Sequence, residues 1–260
     1  MIKPQLTLYL KIENNNYMEV HHPHHPTHKK KWSEYFLEFF MLFFAVTLGF
    51  FAENQREHLT EKHREKQYME SLLEDLTKDK EEVKAARQYT MNQIAKIDTA
   101  MEIISKREWN KESIMKLYKV NLKVSGNRPS TFIERTSSQL KTGEMHLIEN
   151  KKVSTLISTY WQLIAAKASF ESATLEDNKS KARNLSYSIF DQDYYIVSGR
   201  NIAVSENAQL MTYDKKTLIE YNNRLAHIKF DLRNFLVAYF YDKLDETIDE
   251  LTLEIKKEYK

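Results

Sequence analysis

Histidine is the residue type that could most readily bind a metal ion in this chain, and a group of histidines stands near its start. His21, His22, His24, His25 and His28 precede a run of three lysines, and imidazole is a good ligand for divalent metals. Prolines keep this stretch extended, and no cysteine or carboxylate cluster completes a defined ligand set. We interpret it as a solvated tail and expect neither a metal nor another cofactor.

Other residue types that carry catalysis do not form a recognised pattern. His58 and His63 are five residues apart, so a helix does not place them on one face. Carboxylate pairs such as Glu74 with Asp75 stand among lysines, which is typical of solvated helix faces. The sequence has no glycine-rich phosphate loop, no G-x-S-x-G elbow and no cysteine to pair with histidine. We therefore predict that the protein is not an enzyme.

Aromatic residues of the second half could line a ligand pocket, but helical bundles routinely take aromatics into their cores at this spacing. We interpret the group as core. Recognition surfaces are expected in the loop at 125–129 and in the connection at 191–212, because loops carry contacts more often than helix faces. The aromatic residues are Tyr160, Trp161, Phe170, Tyr187, Phe190, Tyr194 and Tyr195.

One dense apolar segment, Trp32–Ala52 (WSEYFLEFFMLFFAVTLGFFA), stands out in an otherwise polar chain. A bilayer core about 30 Å thick needs roughly 20 apolar residues in a helix, and Glu38 is the only charge from residue 36 to residue 52. A soluble core helix needs a polar face, and a cleaved signal peptide needs a small-x-small site; the segment has neither. We predict an uncleaved transmembrane helix that contacts the lipid bilayer.

Basic residues fix the expected orientation of this helix. Lys29, Lys30 and Lys31 lie directly before the segment, whereas its far side has mixed charge. The positive-inside rule then places the N-terminus in the cytoplasm and exports the remainder. In a Gram-negative cell this means an inner-membrane protein with a periplasmic domain. The chain has no cysteine, so it gives no disulfide evidence on the compartment.

A stripe along the apolar segment favours helix association within the membrane. Glu38, Ala45, Gly49 and Ala52 recur at helical spacing, and Ala45 with Gly49 forms a small-xxx-small pair that lets two helices approach closely. The partner could be a second copy of the chain or an envelope protein. Alternatively, the small residues occur by chance and Glu38 snorkels to the cytoplasmic interface.

Composition indicates a helical protein with little net charge. Lys and Arg total 39 and Asp and Glu total 37, which argues against a nucleic-acid partner because such proteins concentrate basic residues. Only four glycines and four prolines interrupt the chain, so most of it should be helix. We expect a cytoplasmic tail at 1–31, a transmembrane helix at 32–52, a helical stalk at 53–67 and a bundle at 68–260. Translation could start at Met1 or at Met18.

Hydrophobic periodicity predicts an all-α fold: the transmembrane helix continues into the stalk and then into an antiparallel helical bundle. No strand pattern competes strongly with this interpretation. The last helix has a seam that alternates steps of three and four residues: Leu218, Tyr221, Leu225, Ile228, Leu232, Phe235 and Tyr239. The predicted helices run from the apolar segment to Lys106, from Lys111 to about Leu122, from about Thr131 to Gly143, from Asn150 to about Tyr187, and from about Leu218 to Ile255.

Three segments carry a family resemblance. They are Leu48–Asn54 (LGFFAEN), Tyr68–Leu76 (YMESLLEDL) and Ser137–Asn150 (SSQLKTGEMHLIEN). In this order, over roughly residues 18 to 165, the chain resembles an uncharacterised family of single-pass membrane proteins common in Bacteroidetes. The resemblance implies the same topology and a helical exported domain, and it transfers no catalytic residue.

These observations lead to two functional hypotheses. The first is a non-enzymatic, membrane-anchored scaffold or interaction protein of the bacterial envelope, which contacts itself or an envelope partner. The alternative is a periplasmic ligand-sensing module, whose first helix passes a shift through the membrane to a separate signalling protein.

Overall fold

The computed structural model describes residues 31–125, 131–133 and 135–259. The histidine run and most of the loop predicted at 125–129 lie outside these residues. The chain divides into two compact units, with the boundary after Arg56.

The first unit contains the start of helix α1, Trp32–Lys106. This helix is long enough and apolar enough to cross a membrane. None of the residues in its most apolar stretch of 18 is buried. Large side chains such as Phe36, Leu42 and Phe50 are more than half exposed. A core helix of a soluble protein would instead cover these side chains with other parts of the chain.

The second unit is a helical bundle, as predicted. Most predicted helices are found close to their expected bounds, and the first ends at Lys106 as expected. After α1 come α2 (Lys111–Ser125), α3 (Arg135–Lys141), a 3-10 turn (Glu144–Leu147), α4 (Lys151–Ser169), a first π segment (Phe170–Leu175), α5 (Glu176–Ser186), a 3-10 turn (Gln192–Tyr194), strands β1 (Tyr195–Ser198) and β2 (Asn201–Val204), α6 (Lys215–Phe230), a second π segment (Asp231–Tyr241) and α7 (Asp242–Glu258).

An apolar face of α1 forms one wall of the core. Its residues recur at three- and four-residue steps, so they share one side of the helix. Each fully buried aliphatic side chain contributes about 1.5–3 kcal/mol to stability, which makes this face the main reason that the second part of α1 folds into the bundle. The buried members are Met69, Leu72, Leu76, Val83, Ala86, Ile94, Ile97 and Ile104.

Paired side chains show that α1 runs antiparallel to the C-terminal helices. Lys80 pairs with Asp249, Arg87 pairs with Asp242, and Asp98 pairs with Lys229. Residues later in α1 therefore contact residues earlier in the C-terminal helices. Exposed pairs of this kind contribute about 0–1 kcal/mol each. They fix the register, whereas apolar burial provides most of the stability.

Side-chain caps mark the starts of two helices. Asn150 accepts hydrogen bonds from the backbone N–H groups of Lys152 and Val153 at 2.9 and 3.1 Å, and so begins α4. Asp214 accepts from the N–H of Thr217 at 2.8 Å and begins α6. Such caps satisfy backbone donors that have no partner inside the helix, which explains why both helices start at these residues.

The predicted seam of the last helix is wrong beyond Leu232. Phe235 and Tyr239 are 41% and 49% exposed, while Leu236 and Phe240 are buried. The second π segment causes this shift, because a π-helix bonds residue i to residue i+5 and places more residues in each turn than an α-helix. The buried face therefore moves on by one residue.

One strand pair was not expected from the sequence. The connection at 191–212 contains an antiparallel hairpin in which Tyr195 pairs with Val204 and Ser198 pairs with Asn201. Gly199, the first of two turn residues, has a φ of 59°. A positive φ at this position is typical of tight hairpin turns and favours glycine.

Candidate functional site

The predicted association face lies on the first unit and is exposed. Glu38, Ala45, Gly49 and Ala52 are all exposed, and at about 100° per residue they fall within roughly 60° of each other around α1. A Cβ added at Gly49 would meet nothing within 4 Å. The stripe therefore has the shape that close helix packing requires.

A basic cleft of about 670 Å³ lies on the second unit, and sequence reasoning missed it. Five cationic side chains line it: Lys96 of α1, Lys116, Lys119 and Lys123 of α2, and Arg200 of the hairpin turn. None of the described residues lining the cleft is Asp or Glu. The cleft therefore concentrates positive charge that the net charge of +2 does not reveal.

Most of the cleft's cations have no carboxylate partner within the part of the chain that the structure describes. Lys116 pairs with Glu112 at 2.7 Å on the same helix. Among the ion pairs of the described residues, none involves Lys96, Lys119, Lys123 or Arg200. A concave surface with charge of one sign raises the local concentration of oppositely charged partners.

Helix α2 positions three of these cations. Lys116, Lys119 and Lys123 recur at steps of three and four, so they share the outer face of the helix. The opposite face is anchored in the core through Leu117 and Val124. This spacing is the signal from which the sequence could have predicted the cleft. Lys96 and Arg200 join it only through tertiary packing.

Hydrogen bonds hold the hairpin region against the buried face of α2. The Tyr118 hydroxyl donates to the Gln209 carbonyl at 2.7 Å and accepts from the Asp191 N–H at 3.0 Å. The Asn121 amide donates to the Tyr195 hydroxyl at 3.0 Å. Burial raises the pKa of Tyr118 to about 12 and also raises the pKa of Tyr195. These phenols therefore stay neutral hydrogen-bonding groups at physiological pH.

The hairpin exposes apolar side chains beside the cleft. Ile196, Val197 and Ile202 are 54%, 69% and 50% exposed, and Ile202 also lines the cleft. In the part of the chain that the structure describes, the sheet has only two strands. Each strand therefore has one edge without a β partner, and such edges readily pair with another extended segment.

Two buried carboxylates of α1 bind the start of α3 and the residues just before it. Asp75 accepts from the Thr136 N–H at 3.1 Å, from the Thr136 hydroxyl at 2.6 Å and from Arg135 at 3.0 Å. Asp79 accepts from the Ile133 N–H at 2.7 Å and from the Tyr160 hydroxyl. Both oxygens of each carboxylate are therefore engaged, which indicates a structural clamp.

The Asp79 carboxyl titrates abnormally. Burial raises its pKa, although hydrogen bonds from Tyr160 and Ile133 act in the opposite direction. The shift follows from placing a charge where water cannot solvate it.

Other predicted candidates are dispersed. His58 and His63 are both exposed, and His63 lies 3.0 Å from the Gln67 amide nitrogen. Tyr160 and Phe190 of the aromatic group are buried, whereas Tyr187 is 54% exposed. In the described ranges, no three His, Cys, Asp or Glu side chains are grouped as a metal site requires.

No protein-family model, curated protein or solved structure matches this chain. The resemblance to a family of single-pass membrane proteins therefore stays a prediction.

Proposed function

We propose that this chain is a non-enzymatic interaction protein of the bacterial envelope, anchored in the inner membrane by the apolar part of α1. The exposed apolar window of that helix supports the anchor, because lipid can cover a surface that the chain itself leaves bare. Lys29–Lys31 support a cytoplasmic N-terminus. In this proposal the helical bundle is periplasmic and works as the recognition domain.

The basic cleft and the hairpin together form the proposed recognition surface. The observation that carries the proposal is the group of five cations, four of which have no ion pair among the described residues, next to exposed Ile196, Val197 and Ile202. A bare inorganic anion would use the cations alone. An acidic protein segment with apolar side chains would use both parts of the surface, so we assign an acidic envelope protein as the partner.

The open strand edges suggest how this segment is held. An extended peptide can add to the edge of a sheet through main-chain hydrogen bonds, with side chains alternating between two sides. A segment paired to the hairpin could direct its carboxylates towards Lys123 and Arg200, both of which are exposed. Main-chain pairing would supply affinity, and the cations would select acidic sequences.

Photocrosslinking in native membranes tests this function. A photoreactive phenylalanine derivative at Val197 is expected to join the chain to an acidic envelope protein, which mass spectrometry identifies. The double variant Lys123→Glu/Arg200→Glu is expected to lose that product, because both cations become repulsive. The matched control Lys78→Glu/Lys84→Glu reverses two exposed charges outside the cleft and is expected to retain it.

Three results would overturn the assignment of the cleft. They are a product that persists in the cleft variant, a product lost equally in both variants, and crosslinks only to lipid, nucleic acid or a second copy of this chain.

Ligand sensing is the second candidate function. It is favoured by a separate cavity inside the bundle, which α1 lines along one side. A ligand bound there would contact the same helix that contains the apolar segment.

A further inference from the structure

A cavity of about 460 Å³ lies within the second unit, between α1, α5 and the two π segments. Protein cores are close-packed and rarely leave voids larger than a water molecule. Sites for small molecules usually measure about 300–1,000 Å³. The cavity therefore has the size of a ligand site.

Both π segments border this cavity. The first contributes Leu175, and the second contributes Leu232, Leu236 and Tyr241. π-helical turns are rare and occur frequently at functional sites. Two of them, far apart in the sequence, widen their helices around one space. This coincidence favours a binding site over simple packing.

A buried amide of α1 offers a hydrogen-bond acceptor in the cavity wall. Gln93 lines the cavity and is 5% exposed. Its Nε2 donates to the Tyr89 hydroxyl at 2.9 Å and to the Lys123 carbonyl at 3.3 Å, which engages both of its N–H groups. Its Oε1 accepts no hydrogen bond within the described ranges. Because buried side-chain oxygens usually accept a hydrogen bond, this oxygen is suited to a ligand that donates one.

Thr90 places a second acceptor on the same side of the cavity. It precedes Gln93 by three residues, so the two side chains share one face of α1. Its hydroxyl proton is engaged, because the hydroxyl donates to the Ala86 carbonyl at 2.9 Å. The two buried polar groups of this face therefore present acceptors, and not donors, to the cavity.

The charged side chains around the cavity interact with one another. Glu171 pairs with Lys167 at 2.8 Å, and Glu176 pairs with Arg183 at 2.9 Å. Lys179 interacts electrostatically with Glu176 and Glu171. A charged ligand would have to compete with these interactions, whereas a neutral ligand leaves them intact. The wall therefore favours a ligand without charge.

We propose that the cavity binds a small neutral ligand with an apolar body and one N–H or O–H donor. The donor bonds to Oε1 of Gln93, and the apolar body packs against Leu175, Leu232 and Leu236. Indoles and naphthols have this chemistry. This assignment gives a ligand class to the second candidate function, ligand sensing, and it is independent of the basic cleft and its partner.

Binding of neutral donors to the full chain in lipid nanodiscs tests the proposal. Indole and 2-naphthol are the probes, and 1-methylindole and 2-methoxynaphthalene are their analogues without the donor. At least one probe is expected to bind saturably and to raise the unfolding temperature by several degrees, as a ligand specific for the folded state does. Its analogue should bind at least about tenfold more weakly, because it cannot donate to Gln93. Empty nanodiscs correct for partition into lipid.

Three variants locate the binding site. Gln93→Leu removes the acceptor and should weaken binding of the probe to the level of its analogue, while binding of the analogue stays unchanged. Ala168→Trp adds bulk at an exposed position of the cavity lining and should block binding even if Gln93→Leu fails to fold. Ala166→Trp, at an exposed position of α4 outside the lining, is the matched control and should bind as wild type does.

Four results would overturn the assignment. They are no binding of either probe, equal affinity for a probe and its methylated analogue, unchanged binding of the probe by folded Gln93→Leu, and equal effects of Ala168→Trp and Ala166→Trp.

Discussion

Asp75 and Asp79 illustrate how buried carboxylates work at the scale of single residues. They lie four positions apart on α1, and both are only 1% exposed. Both bind the segment at 131–136, yet they differ in what a change to asparagine would do. Asp75 accepts three hydrogen bonds, two of them at one oxygen, whereas Asp79 accepts one at each oxygen.

Replacing each aspartate by asparagine should therefore have opposite effects. In Asp79→Asn the amide oxygen still accepts from the Ile133 N–H, and the new NH₂ group donates to the Tyr160 hydroxyl, so the unfolding temperature should hold or rise. Asp75→Asn loses the charge that faces Arg135 and cannot accept all three bonds. It should cost about 2 kcal/mol, as removal of charge-assisted hydrogen bonds typically does. Thermal unfolding of the detergent-solubilised chain measures both.

The pH dependence of the Asp79→Asn effect provides a second test. Because the folded-state pKa of Asp79 is raised, ionising it costs folding free energy as the pH rises from the ordinary carboxyl range through the raised pKa. The advantage of Asp79→Asn over wild type should be smallest near pH 4 and larger near pH 7, since an unperturbed Asp titrates at about 3.9. The control Asp249→Asn changes an exposed carboxylate. An advantage that shrinks with rising pH would contradict the assignment.

At the scale of elements, the second π segment explains the largest error in the predicted core. A constant helical period places Phe235 and Tyr239 in the seam, but the extra residue per turn buries Leu236 and Phe240 instead. Deleting one residue there would move Leu236 and Phe240 back to the spacing of an α-helix. The π segment therefore has the effect of one residue inserted into an α-helix. The core accommodates this residue at a place where the segment borders the cavity.

Deletion of Asn234, an exposed residue of the second π segment, is expected to leave a folded helical protein. The extra residue of the widened turn would be removed, so Leu236 and Phe240 should stay buried at the spacing of an α-helix. Circular dichroism measures the helix content, and thermal unfolding measures the stability. Deletion of exposed Asn223 within α6 is the matched control, and it should destabilise the bundle by shifting Leu225 and Ile228 out of the seam. Equal loss of stability in both variants would contradict this account of the π segment.

The helices could be predicted from the sequence, whereas the cleft and the hairpin could not, and the reasons are physical. Helix bounds follow from local signals, such as the Asn150 cap and the stripe from Met69 to Ala86, which need no tertiary information. The π segments and the hairpin depend on packing: Val197 and Ile202 are apolar yet exposed, so burial patterns do not mark them. The cleft joins α1, α2 and the hairpin, and only folding brings these parts together.

At the scale of the whole molecule, we predict that the association face contacts a second copy of the chain or an envelope partner. If Ala45 and Gly49 allow two apolar helices to approach, the double variant Ala45→Leu/Gly49→Leu should reduce association in the membrane by adding bulk to that stripe. The control Val46→Leu/Phe50→Leu changes apolar residues off the stripe. Energy transfer between labelled chains in vesicles measures association. Equal association of wild type and both variants would remove this face from the account.

Membrane topology tests the central claim most directly, and the absence of cysteine makes the measurement simple. Thr27→Cys and Lys84→Cys each provide one thiol, before and after the apolar segment, for a maleimide that does not cross membranes. In spheroplasts, Lys84→Cys is expected to react at once, and Thr27→Cys only after the membrane is permeabilised. Labelling of Thr27→Cys with protection of Lys84→Cys, or recovery of the chain in the soluble fraction, would contradict a membrane-anchored protein with an exported recognition domain.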